Sequence, residues 1–108
     1  AWRFLQHSVD YFMTVSDAEA IAAMRQLARG SERDIPILAG ESGVAGLAAL
    51  KQLAAKRAQM LDLGLDGEAR VLMINSEGAT APNVYAEATG ESAESVLLRQ
   101  QQWLQQHR

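Results

Sequence analysis

Apolar residues recur along this chain in two rhythms, one of three to four residues and one of short unbroken runs. Trp2, Leu5 and Val9 follow the first and predict the end of an amphipathic helix over 2–9. Tyr11-Phe12-Met13-Thr14-Val15 follows the second, aromatic and β-branched, and predicts a strand. Ser16 and Glu19 then have capping-box spacing, in which hydroxyl and carboxylate each satisfy a free backbone N–H. The helix they open carries Ile21, Met24, Leu27 and Ala28 on one face and stops at Gly30, a residue favoured just past a helix end.

After the charged loop 31–34, Ile35-Pro36-Ile37-Leu38-Ala39 predicts a second strand. From Ser42 a glycine-rich turn gives way to a helical stripe of Leu47, Leu50, Leu53 and Ala54, with Lys51, Gln52, Lys56 and Arg57 on the wet side. Residues 58–69 read as a shorter helical piece and a turn. Arg70-Val71-Leu72-Met73-Ile74 predicts a third strand, Pro82 lies in a loop, and a last helix runs over 91–106 with Val96, Leu97, Trp103 and Leu104 on one side. This alternation predicts the α/β class: one domain over 1–108, with a parallel sheet of about three strands and flanking helices. Three strands make a thin sheet, and parallel sheets are covered on both faces. The chain also opens at Ala1 inside a helical pattern, so it is expected to be a piece of a longer polypeptide.

Composition narrows the function. Of 108 residues, 48 % are hydrophobic and 21 % charged, which is ordinary for a globular chain. The net charge is −3 and Arg25, Arg29 and Arg33 are interleaved with acids, so no nucleic-acid footprint is expected. No apolar run is long enough to span a bilayer, and no membrane partner is expected. The absence of cysteine excludes disulfides and a thiolate nucleophile, and fits a cytoplasmic location.

The chemistry-bearing residues gather at two predicted strand ends. Gly40, Glu41, Ser42 and Gly43 follow the second strand; Asn75, Ser76, Glu77 and Gly78 follow the third. Ligands of open parallel sheets bind at that rim, and each cluster offers a carboxylate, a hydroxyl and glycines that admit close backbone approach. Gly40-x-x-Gly43-x-x-Gly46 is neither a dinucleotide fingerprint nor a P-loop, and Glu41 works against an anion there. Tight strand–helix packing explains the same glycines without any ligand. Ser76 could serve a ring nitrogen or simply bond local backbone. His7 and His107 lie far apart with no metal-ligand spacing, and Trp2 and Trp103 fit core or interface anchors.

GESGVAGLAAL at 40–50, the Leu-Gly-Leu-Asp turn at 63–66 and RVLMINSEGATAP at 70–82 together closely resemble the C-terminal part of diaminopropionate ammonia-lyases. These are pyridoxal-phosphate enzymes of fold type II, the tryptophan-synthase β-subunit superfamily. The stretch AWRFLQHSVDYFMTVSDAEAIAAMRQLA is similar to the same family's preceding segment, so the resemblance covers about 1–86 and leaves 87–108 as an extra C-terminal helix. It implies part of a two-domain, dimeric enzyme that removes ammonia from 2,3-diaminopropionate to give pyruvate, with pyridoxal 5′-phosphate as cofactor and an amino acid as substrate.

Carried onto this chain, the resemblance makes Gly40, Glu41, Ser42, Ser76, Glu77 and Gly78 the cofactor-binding residues, with Ser76 facing the pyridine nitrogen. It assigns no catalytic residue and no metal ligand. Many relatives carry threonine where Ser76 stands, and several carry aspartate in place of Ala81. The family's Schiff-base lysine and phosphate-binding glycine loop have no match here, and Lys51 and Lys56 sit on a wet helix face. The chain is therefore expected to be inactive alone and to self-associate. A threonine dehydratase or threonine synthase relative, and a non-catalytic α/β binding or interaction module, are the alternatives.

Overall fold

The computed structural model describes residues 1–108. Six helices follow one another: α1 (Trp2–Ser8), α2 (Asp17–Arg29), α3 (Ala45–Ala54), α4 (Arg57–Asp62), α5 (Pro82–Thr89) and α6 (Ala93–Gln106). There is no strand, so the predicted parallel sheet and the α/β class are wrong for this chain. A ladder repeats its N–H to carbonyl bonds along two backbones. Here a single such bond, Gly40 N–H to the Glu77 carbonyl at 2.8 Å, joins the second apolar run to the third. Residues 11–15 make no backbone bond to either. The β-branched runs are present in the sequence, but each lacks a neighbour to pair with.

The helices obey their local signals. In α2 the Ser16 hydroxyl accepts from the Glu19 N–H, and the Glu19 carboxylate accepts from the Ser16 N–H, both at 3.1 Å. Gly30 ends the helix at φ 62°, and a Cβ there would lie 2.7 Å from the Asp34 carbonyl oxygen. The buried stripe of α2 is Ala20, Ala23, Met24 and Ala28; Ile21 and Leu27 flank it, half-buried. Small residues let α2 lie against both α3 and α5, and Val44, Ala48, Tyr85 and Val96 complete the core.

Helix α5 is absent from the sequence reading, which took Pro82 as part of a loop. Proline suits the first turn of a helix, where its missing N–H costs nothing, and Gly90 in the left-handed region closes the helix. Helix α6 is tied down by side chains on one face. Arg99 donates to both carboxylate oxygens of Glu91 at 2.8 and 2.7 Å, and to the Ala28 and Arg29 carbonyls at the end of α2. Gln100 donates to the Pro36 carbonyl, and the Trp103 indole to that of Ser31. The His107 ring stacks on Trp103 with centroids 3.7 Å apart. No helix is long and apolar enough to cross a membrane.

Arg99→Met is expected to destabilise the chain by about 1–3 kcal/mol in urea denaturation, since it strips charge-assisted bonds from three elements at once. The hydrogen bonds from Arg99, then the one from Ser95, hold the Glu91 carboxyl below the usual carboxylate range. Its contribution is thus complete at neutral pH and is lost as the pH falls through that lowered value. Below about pH 4 the urea midpoint should fall more steeply in the parent chain than in Arg99→Met.

Candidate functional site

The three glycines that open α3 meet three alternate residues of the run before α5. A Cβ on Gly40 would sit 2.2 Å from the Glu77 Oε1 and 2.5 Å from the Gly78 carbonyl oxygen. One on Gly43 would sit 2.1 Å from the Asn75 Oδ1 and 2.8 Å from the Glu77 carbonyl oxygen. One on Gly46 would make ordinary contact with the Met73 side chain at 3.5 Å. Steps of three on one segment therefore face steps of two on the other, running in opposite directions. The Gly40–Glu77 backbone bond and the Asn75 amide, donating to the Leu38 carbonyl at 3.1 Å, fix the register. Packing thus accounts for Gly40 and Gly43.

This contact creates a cleft of about 250 Å³. The turn supplies Gly40, Glu41 and Ser42; the run supplies Glu77, Gly78, Ala79 and Thr80; Met24 of α2 and Val84 and Tyr85 of α5 close it. Five of the six residues singled out from the sequence come together here. Ser76 does not. Because Asn75 and Glu77 turn toward the glycines, Ser76 falls on the other side of the run, where it is exposed. Thr80 and Tyr85 were not foreseen, since their approach depends on α5, and Met24 was read only as part of the apolar face of α2.

Tyr85 is buried and its hydroxyl has no hydrogen-bond partner. The Thr89 hydroxyl beside it is engaged with the Tyr85 and Glu91 carbonyls instead. Burial, and then the Glu91 charge, push the phenol's ionisation upward, so it stays neutral at physiological pH. The cleft thus offers two carboxylates, two aliphatic hydroxyls and an apolar back wall. No lysine, arginine or histidine lines it. No group of acidic and histidine side chains in the structure has metal-binding geometry.

No protein-family model matches the chain. Diaminopropionate ammonia-lyase of Escherichia coli strain K12 is 33 % identical over 98 residues, which cover 88 % of this chain and 25 % of that enzyme. The diaminopropionate ammonia-lyase of Salmonella typhimurium is 32 % identical over 90 residues, 79 % of this chain and 22 % of the relative. The chain is a homologue of diaminopropionate ammonia-lyases. It spans about a quarter of the length of the curated relatives it matches.

The fit to pyridoxal 5′-phosphate, the cofactor implied by the resemblance, is one-sided. Hydroxyls, glycine backbone and an aromatic wall suit the flank of a ring. With no cation and no glycine-rich anion loop, the cleft cannot neutralise a phosphate dianion, and with no lysine it cannot hold an aldehyde covalently. Lys51 and Lys56 lie outside it.

Gly43→Ala should destabilise the chain by about 1–3 kcal/mol, because backbone as well as side-chain atoms must shift. Gly46→Ala should instead raise stability by up to about 1 kcal/mol, since alanine favours the helix and Met73 leaves room. Paired urea titrations would check both signs.

Proposed function

We propose that this chain supplies one wall of the coenzyme pocket of a pyridoxal-phosphate-dependent ammonia-lyase that converts 2,3-diaminopropionate to pyruvate and ammonia, and that it has no turnover alone. The observation that carries this reading is the meeting of Gly40–Ser42 with Glu77–Gly78 at one cleft, in a chain of which 88 % aligns with a quarter of that enzyme. The matched relatives favour this substrate over that of a threonine dehydratase.

When bound, the cofactor supplies an electron sink for the elimination. The residues of this chain bind and shape. The Gly40–Ser42 turn would hold the ring's flank with its backbone, and the Ser42 and Thr80 hydroxyls would offer it hydrogen bonds. Met24, Val84 and Tyr85 keep water from the back of the pocket. The Glu41 and Glu77 carboxylates in the cleft would favour a cationic amine on the substrate. No proton transfer is assigned to any of these groups. Ser76, on the far side of the run, is left out of this cleft.

Two measurements test the reading. The 108-residue chain, mixed with pyridoxal phosphate and reduced with borohydride, should carry no stoichiometric label on a single lysine; mass spectrometry finding one would overturn it. The Escherichia coli enzyme with its matching quarter replaced by residues 1–108 should retain cofactor and release pyruvate. A folded chimera that holds no cofactor would refute the assignment.

A further inference from the structure

His107 caps the end of α6, and both of its ring nitrogens face carbonyl oxygens. Nδ1 lies 2.8 Å from the Trp103 carbonyl, one turn back, and Nε2 lies 2.8 Å from the Glu32 carbonyl in the loop after α2. A carbonyl only accepts, so each nitrogen must bring an N–H. Neutral imidazole has one N–H and one lone pair, and either tautomer sets that lone pair against an oxygen. Only the doubly protonated, cationic ring makes both bonds. The ring also lies flat on the Trp103 indole, with planes 6° from parallel, a placement in which the aromatic face favours a cation.

The charges around the ring leave that form standing. A cavity of about 300 Å³ beside it is lined by Arg29 of α2, Glu32 of the loop and Arg99 of α6, and Arg108 follows in the chain. Arg99 is already spent on Glu91. Arg29 and Glu32 carry opposite charges, neither of them in an ion pair. Arg108 is exposed, where its charge is screened. Arg33 and Asp34 complete the loop, and the Asp34 carboxylate accepts from the Ser31 hydroxyl. Two carbonyls and an indole therefore decide for the imidazolium. Trp103 itself donates to the Ser31 carbonyl at 2.9 Å, so the stacked pair grips two consecutive carbonyls of the loop that leads to the cleft's first wall. The loop is also closed on itself, Ser31 N–H to the Asp34 carbonyl at 2.8 Å, and keeps its shape when the ring lets go.

We infer that His107 is a proton-operated clasp, whose cationic ring fastens the end of α6 to the loop after α2 and whose neutral ring releases it. The inference is independent of the proposed function. The bonded form is the protonated one, so the clasp is closed on the acid side. It opens as the pH rises through the ring's titration, within the interval of about pH 5 to 8 in which histidine changes charge. The Arg99 and Gln100 ties do not titrate there. The body of α6 therefore stays in place while its last turn, with the Trp103 indole, loosens from the loop.

The test is hydrogen exchange in the 108-residue chain, read as protection factors at the Trp103 indole N–H and the amides of 105–107, at about pH 5.5 and about pH 8. Protection should fall at least about fivefold between the two. His107→Phe keeps a ring on the indole but removes both bonds, and should show the weak protection at either pH. His7→Gln, on α1, should leave the pH response intact. Nitrogen-15 signals of the ring, followed in the parent chain, give a second reading that needs no variant: loss of one ring proton should coincide with the loss of protection. Equal protection at both pH values would overturn the inference. So would a His107→Phe chain that retains the pH response, or a neutral His107 ring with protection still in place.

Discussion

Two backbone segments more than thirty residues apart can lie this close only because one of them lacks side chains at the contact. The turn before α3 and the run before α5 approach until a Cβ on Gly40 or Gly43 would overlap carbonyl oxygens. The cleft is a by-product of that approach: Glu41 and Ser42 sit beside Glu77 and Gly78 because the glycines between them have gone inward. The register is also why Ser76 is absent. In an alternating run, a register that turns Asn75 and Glu77 toward glycine turns Ser76 away.

Around this contact the structure is lightly packed. Only twelve residues are buried, most of them small, and none is charged. Cohesion therefore leans on polar ties that reach across elements. Arg99 joins α6 to the turn after α5 and to the end of α2, while Gln100 and Trp103 hold the loop leading to Ile35–Gly40. Helix α6 thus has a local task, which is to fix the loop from which the cleft's first wall departs.

What could be read from the sequence was what depends on neighbours in the chain. Ser16 and Glu19 meet within one turn, so their capping box was visible as spacing, and Gly30 marked its helix end. Helix α5 escapes the sequence pattern because proline suits a loop as readily as a helix's first turn. The strands failed for a different reason. Val71–Ile74 has the composition of a strand, but a strand exists only when another backbone is beside it, and nothing local states that. The two turns were recognised as converging, yet the choice between packing and ligand for the glycines depended on distances to Asn75 and Glu77. Tyr85 and Thr80 entered the cleft through α5 and carried no signal of their own.

The glycine contact also has a consequence for how the chain can vary. Trimming the Asn75 or Glu77 side chain would clear only half of each obstacle, because the Glu77 and Gly78 carbonyl oxygens would still stand 2.8 and 2.5 Å from the added Cβ atoms. No exchange of side chains at 75 or 77 can therefore release 43 or 40 from glycine. The path of the run's backbone, whatever side chains it carries, dictates the residue at the turn.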